Sequence, residues 1–253
     1  MSSTPTPRPR IDLVLPVHNE AASVAFVVEE IYERTRALLD LRVIACEDGS
    51  DDGTQQVLAE LAMYFPLVIR SQSKRRGYAG AVLEGLRAAE SEWVLAMDAD
   101  GQCDPSDIRR LWEARGDADI VIGERRPRCD DAVRRVASRA FGLVYRALFR
   151  VPVSDPSCPL VLLRRAAVEP LLEDLGRMPF GWWWELVATA HRHRLKFAEV
   201  PVAHRPRRDG ETQVFAPRAL PGLAFTQLGG LARVWLATRR PKAERRAEKL
   251  SAR

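Results

Sequence analysis

Through its first hundred residues the chain alternates short apolar runs with longer amphipathic stretches, the spacing of repeated strand, helix, strand units. Ile11 to Val17, Arg42 to Cys46, Leu67 to Arg70 and Trp93 to Met97 read as strands, and Asp119 to Ile122 as a fifth. Helices are predicted near 21–38, 54–63, 78–89 and 105–114. The pattern predicts an α/β fold with a mostly parallel sheet flanked by helices, because parallel strands need crossover connections between them.

The polar residues that end each apolar run carry the candidate chemistry. They are His18-Asn19-Glu20, the acidic turn Glu47 to Thr54 (EDGSDDGT), the loop Ser71 to Gly77, and Asp98-Ala99-Asp100-Gly101-Gln102. In open α/β sheets ligands bind outside the carboxyl ends of the strands, so these clusters are expected to share one crevice. Carboxylates converging there would repel unless cations or donor groups balanced them, which speaks for a functional role and against mere packing. Asp98 and Asp100 stand two apart at the end of an extended run, a spacing that turns both side chains to one side. A hard cation, Mg2+ or Mn2+, can meet both and take further ligands from substrate phosphates. The acidic turn suits ribose hydroxyls and base N–H groups. No G-x-G-x-x-G follows the first strand and no P-loop occurs, so a nucleotide would be held by other means. An EF-hand starting at Asp48 is excluded, because Ala59 stands where a bidentate Glu is needed.

Composition narrows the class. At 253 residues, 46% hydrophobic and 29% charged, the chain has the balance of one globular domain, not of a disordered or fibrous protein. Cys46, Cys103, Cys129 and Cys158 form no C-x-x-C or zinc-finger spacing and read as reduced thiols of a cytoplasmic protein. Residues 1–10 read as a flexible leader, since a signal peptide would need an apolar stretch there. The net charge of +5 resides in the last stretch, where Arg239, Arg240, Lys242, Arg245, Arg246, Lys249 and Arg253 outnumber Glu244 and Glu248. A near-neutral body argues against a nucleic-acid partner. The tail is either a solvated run or a contact with an anionic membrane face.

As a set, the motifs L-P-V-H-N-E, E-D-G-S-D-D-G-T and D-A-D-G-Q resemble those of the family 2 glycosyltransferases of the GT-A fold. Within that family they are similar to the polyprenyl-phosphate, dolichyl-phosphate mannose synthase-like branch, over about residues 11–215. The resemblance implies a Rossmann-like catalytic domain over 11–216, and the residues that follow read as a C-terminal apolar helix and basic tail over 217–253 without the transmembrane spans that integral members of the branch add. It implies that Pro16, His18, Glu20 and Asp48 contact base and ribose of a nucleotide sugar, with Arg76 of the basic loop and Asp98 beside them. Asp98, Asp100 and Gln102 would arrange the metal and diphosphate, and Arg125 of Gly123-Glu124-Arg125 would meet donor phosphate.

The acceptor side follows from the same resemblance. Arg134 and Ser138 stand four apart on a predicted helix and share a face. In this branch such a pair holds the acceptor phosphate, a role for which Arg135 is a rival. H-R-P-R-R-D-G-E-T (204–212) resembles the branch's R-x-x-G-x-S element, placing Arg207 against phosphate and Thr212 in the serine position. The implied reaction is metal-dependent, inverting transfer of a hexose from GDP-mannose or a UDP-hexose to a polyprenyl phosphate. Two rivals stay open. One is a same-fold enzyme acting on a soluble sugar or natural-product hydroxyl, which would need a carboxylate base, Asp155 or Glu185. The other is a non-catalytic sugar-nucleotide-binding protein, against which intact Asp98, Asp100 and Gln102 argue.

Two departures qualify the resemblance. Asp155 to Val161 (DPSCPLV) is similar to the branch's D-x-G-C-x-L-R, but Ser157 replaces the glycine and Val161 the arginine, implying that one phosphate or sugar contact is missing. Leu220 to Leu236 is apolar but interrupted by Pro221, Gly222, Gly229, Gly230 and Arg233, and shorter than the roughly 20 residues of a span. This stretch, and a helix near 131–150 that mixes arginines with Phe141, Leu143, Val144, Leu148 and Phe149, either lie on a membrane surface or dock on the sheet. The expected location is cytoplasmic and peripheral, on the inner face of the plasma membrane. Trp182, Trp183 and Trp184 either stack on a sugar or pack beneath a loop.

Overall fold

The apolar runs pair into one sheet of seven strands among the residues that the computed structural model describes, namely 7–126, 132–178, 181–207 and 220–239. β1 (Arg10–Val17), β2 (Asp40–Glu47), β3 (Leu67–Ser71), β4 (Trp93–Ala96) and β5 (Ile120–Arg125) fall close to their predicted positions. β6 (Val161–Arg164) and β7 (Phe197–Val202) were not expected from the sequence. The strand order is β3-β2-β1-β4-β6-β5-β7. β1 is parallel to β2 and β4, β2 to β3, and β5 to β7, whereas β6 runs antiparallel to both β4 and β5.

Helices α1 (Val24–Thr35), α2 (Thr54–Leu61), α3 (Tyr78–Ala88) and α4 (Ile108–Glu113) follow β1 to β4, α4 opening with a 3-10 turn at Pro105–Asp107. Then come α5 (Ala132–Phe149), the short α6 (Arg165–Val168), α7 (Trp182–Arg192) and α8 (Leu220–Arg239). Central strands covered on both faces need continuous apolar sequence, and Leu13, Val14, Leu15, Val43, Ile44, Val94 and Leu95 are all buried. α3 lies unusually close to the sheet. A Cβ at Gly85 would stand 2.3 Å from Val14 Cγ1 and 2.8 Å from Cys46 Sγ, so glycine sets that approach.

One carboxylate is buried in this core with its partners. Asp12 accepts from Arg42 Nε and Nη2 at 2.7 and 3.0 Å and from the backbone N–H of Glu90 and Ser91 at 2.6 and 2.8 Å. Burial alone would raise its pKa; the Arg42 guanidinium and the two N–H groups outweigh it and hold the carboxyl below its ordinary value.

The topology also fixes where a ligand can enter. From β1 the chain builds outward through β2 and β3, then returns to place β4 on the other side of β1. The carboxyl ends of β1 and β4 therefore flank a topological switch point, where neighbouring loops diverge and leave a crevice.

Of the two predicted surface helices, α5 buries Tyr145 and half-buries Phe141 and Phe149. Tyr145 packs edge-on to Trp184 of α7 at 4.6 Å between ring centroids, and its hydroxyl donates to Trp184 O at 2.8 Å. Leu143, Val144 and Leu148 of α5 stay exposed, as do Leu228 and Leu236 of α8. No helix among the described residues is long and apolar enough to cross a membrane.

Candidate functional site

A cavity of about 330 Å³ opens at the switch point. β1 contributes Pro16, and the turn after it His18 and Glu20; Asp48 follows β2, and Asp98, Asp100 and Gln102 follow β4. Arg125 at the end of β5 and Arg207 complete the charged wall, with Tyr78 and Trp183 as its aromatic part. Most residues singled out in the sequence thus meet in one crevice. The Nδ1 of His18 is buried there without a hydrogen-bond partner.

The acidic turn after β2 converges less than expected. Asp48 alone of its acids lines the cavity, and both its oxygens are engaged by the next loop, accepting from the N–H of Arg76 and Gly77 at 2.6 and 2.7 Å. The others hold the turn itself. Glu47 accepts from Ser50 N and Gln55 Nε2, Asp51 from Asn19 Nδ2, and Asp52 from Ala21 N and Thr54 N at the start of α2. Gly77 has φ of 78°, a backbone that a side chain would strain, and the hydrogen bonds that its own N–H and that of Arg76 donate to Asp48 fix it. The guanidinium of Arg76 leaves the cavity for Glu84, 3.8 Å away, and Arg75 lines the cavity in its place. A loop with three adjacent basic residues has no periodicity from which to tell the two apart.

Asp98 and Asp100 lie close enough to raise the Asp98 carboxyl to about 7, burial being the first cause and the Asp100 charge the second. Asp98 Oδ1 accepts from the Tyr78 hydroxyl at 2.7 Å, and Trp183 Nε1 donates to that hydroxyl oxygen at 2.7 Å. Burial and then Asp98 push the Tyr78 phenol well up, which keeps it a donor. Asp100 Oδ1 accepts from Gln102 N at 3.0 Å, and the Gln102 amide donates to Arg205 O at 3.3 Å. Neither Tyr78 nor Trp183 had been assigned a place in the metal site, because nothing in the sequence spacing brings residues 78, 98 and 183 together.

Arg125 is held in a two-pronged ion pair. Its Nε and Nη2 reach Asp155 Oδ2 and Oδ1 at 2.7 and 2.8 Å, and Nη2 also donates to Ser157 Oγ at 2.6 Å. Ser157 in turn donates to Asp155 Oδ1 at 2.9 Å, so the serine that replaces the motif glycine completes this pair. Val161, in place of the motif arginine, is the first residue of β6 and is fully buried opposite Ala96 and Ile122.

Glu185 is turned away from the cavity. Buried on α7, its Oε2 accepts from the N–H of Gly176, Arg177 and Met178 at 3.0, 2.8 and 3.0 Å, with Arg177 Nη1 3.5 Å from Oε1. Burial raises its pKa, and those N–H groups and Arg177 oppose the rise. The tryptophans divide: Trp182 is core, Trp184 packs on α5, and Trp183 lines the cavity.

The segment after β7 is fastened across the site. Ala203 N donates to Asp107 Oδ2 at 2.7 Å, His204 bridges to Cys103, and Arg205 clamps Glu30 at 2.8 and 3.1 Å and Asp104 at 2.7 Å. These anchors deliver Arg207 into the cavity, where it pairs with Glu20 and stands 4.0 Å from Asp100. Burial raises the Glu20 carboxyl, while Ser23 and Arg207 pull it back. Arg207 is thus placed among the donor-side acids. The side chains of Arg134 and Ser138, and the whole of Thr212 and Cys129, lie outside the described residues. Cys46, Cys103 and Cys158 are buried free thiols.

The chain is similar in sequence and in fold to known proteins. The chain matches undecaprenyl-phosphate 4-deoxy-4-formamido-L-arabinose transferase of Pseudomonas fluorescens at 30% identity, over 87% of this chain and 64% of that protein. It matches the glycosyltransferase AglD of Haloferax volcanii at 30% identity, over 93% of this chain and 39% of that protein. The chain therefore spans less than two thirds of the length of these curated relatives. In shape it is similar to glucosyl-3-phosphoglycerate synthase from Mycobacterium tuberculosis, solved with Mn2+, UDP-glucose and phosphoglyceric acid. That likeness has a TM-score of 0.69 and 19% identity, covers 90% of this chain and 80% of the other, and concerns the fold, which is of the GT-A type. Residues 12–172 match the model for glycosyl transferase family 2, and the chain belongs to that family.

Proposed function

We propose that this chain transfers a hexose from a nucleotide sugar, GDP-mannose or a UDP-hexose, to a polyprenyl phosphate with inversion at the anomeric carbon. The observation that carries the choice of acceptor is the state of the two candidate bases. Asp155 is bound on both oxygens by Arg125, and Glu185 faces a nest of three N–H groups away from the cavity. A hydroxyl acceptor needs a base to take its proton, whereas a phosphate, whose second pKa is about 6, arrives already charged. The names of the relatives from Pseudomonas support the same acceptor class.

Asp98 and Asp100 fit a hard divalent cation. Both are oxygen donors, and a cation would relieve what raises the Asp98 carboxyl, burial first and the Asp100 charge second. Among the described residues no group of three or more His, Cys, Asp or Glu could hold a metal, so this pair would leave coordination positions for diphosphate oxygens. Mg2+ or Mn2+ there would supply charge neutralisation to the leaving diphosphate. The chain's own residues would do the rest by positioning. His18 and Glu20 would face the nucleoside, Asp48 would shape its pocket through the loop it anchors, and Arg125 would face donor phosphate. Arg207 would exchange its acids for phosphate, alongside Arg134 and Ser138 on α5. The exposed leucines of α5 and α8 and the basic residues after them would rest on the anionic membrane that holds the acceptor.

The test is a radiolabelled transfer assay with GDP- and UDP-hexoses, Mg2+ or Mn2+, and a short polyprenyl phosphate. Label in the organic phase that depends on metal is the expected result. Release of nucleoside diphosphate without lipid label would move the assignment to a soluble acceptor, and no turnover with any donor would favour a binding protein.

A further inference from the structure

Tyr78 occupies a place between the acidic pair and α7 that the reaction outlined above does not use. It is the first residue of α3, directly after Gly77, and the Asp48 carboxylate pins that entry to the end of β2 through two backbone N–H groups. Its ring edge is part exposed, while its hydroxyl is enclosed between Trp183 and Asp98. An indole N–H can only donate, so the proton of the Tyr78 hydroxyl must point to Asp98. The direction of this two-bond relay is therefore set by chemistry: Trp183 to Tyr78, Tyr78 to Asp98 Oδ1.

We propose that Tyr78 is a positioning residue of the metal site, tethering one oxygen of Asp98 so that the carboxylate stays beside Asp100 with its other oxygen free for a divalent cation. The inference rests on the metal reading given under Proposed function and deepens it. Two half-buried carboxylates side by side repel, and an untethered one relieves the repulsion by rotating away. A hydrogen bond to the far oxygen removes that option at the cost of no ligand atom. Partners of this kind orient metal ligands and are felt in affinity when lost. The same relay makes Trp183, a wall of the cavity on α7, part of the support of Asp98.

The measurement is a Mn2+ titration of the full chain, alone and with UDP, following free Mn2+ by electron paramagnetic resonance. Tyr78→Phe, which removes one oxygen atom and keeps the ring, is expected to weaken Mn2+ binding by about 10- to 100-fold. Trp183→Phe, which leaves Tyr78 in place without the donor that orients it, is expected to weaken binding by a smaller factor, and it decides the matter if Tyr78→Phe does not fold. Wild-type affinity in the folded variants would overturn the positioning role while leaving the metal reading intact. Failure of the wild-type chain to bind Mn2+ under either condition would overturn the metal reading, and this inference with it.

Discussion

At the scale of single residues, Glu185 shows how burial separates a structural acid from a catalytic one. Its carboxylate takes three backbone N–H groups of the 176–178 turn, and a neutral amide would serve them less well and lose the Arg177 charge. Glu185→Gln is expected to cost about 1–3 kcal/mol of stability, a fall of several degrees in Tm, with kcat within about twofold of wild type. A collapse of kcat at unchanged Tm would restore Glu185 as a base. Asp12 gives the residue-scale pH dependence. Its folded pKa lies below the unfolded one, so its contribution is complete above the unfolded value of about 3.9 and is lost as pH falls through the folded pKa. Asp12→Asn, which leaves Arg42 without its buried partner, is expected to cost about 3 kcal/mol at pH 7. In urea unfolding the gap between the two proteins should close below about pH 4; a gap constant down to pH 2 would remove Asp12 as its source. These roles were not legible beforehand, because which carboxylate faces N–H groups and which faces a cavity depends on neighbours far away in sequence. Asp48 and Asp52, four residues apart in one motif, both accept backbone N–H groups, yet Asp48 alone of the two lines the cavity.

At the scale of elements, β1, β2, β4 and β5 were legible because a strand covered on both faces reads as a near-continuous apolar run, and the edge strand β3 because its short Leu67 to Ile69 run lies between two helices of the right length. β6 was not, since four residues that follow Asp155 to Pro159 read as the tail of a motif. Its Val161 fills a sheet position where the motif arginine could not be buried, which is a packing fact hidden in a functional-looking substitution. Among the described residues β7 pairs only with β5; it is half-buried and contains Pro201, so it lacks both alternation and a continuous apolar run. α3 carries the element-scale prediction. Gly85→Ala would push a methyl into Val14 and Cys46, and the helix would have to lift off the sheet. The expected loss is about 1–3 kcal/mol in urea unfolding. Gly116→Ala, where a Cβ meets nothing within 4 Å, should stay within about 0.5 kcal/mol. Equal effects at the two sites would mean that α3 has room to move.

At the scale of the whole molecule, the crevice, the exposed apolar residues and the basic tail bear on the acceptor proposed above, a phosphate whose polyprenyl chain would be buried in lipid. α5 packs Phe141 and Tyr145 on Trp184 of α7, with Phe149 against Tyr145, while leaving Leu143, Val144 and Leu148 in solvent. Leu143, at 64% exposure, and Leu148, at 39%, are with Val144 the large apolar side chains that α5 exposes among those described. A bilayer surface would cover the apolar side chains, and anionic head groups would attract Arg146, Arg150 and the basic residues beyond α8. Co-sedimentation with phosphatidylglycerol vesicles should therefore be strong at low salt and weaken steeply as added salt shortens the Debye length from about 10 Å at 0.1 M to about 3 Å at 1 M. Leu143→Gln with Leu148→Gln should weaken it further, by roughly 10-fold or more, the scale of leaving one or two leucine side chains unburied. Transfer to a short, water-soluble polyprenyl phosphate should be unchanged in the same variant, because neither leucine lines the cavity. Vesicle binding indifferent to both salt and these leucines would place the membrane contact elsewhere on the molecule, and loss of transfer to the short acceptor would instead make this face of α5 part of the acceptor site.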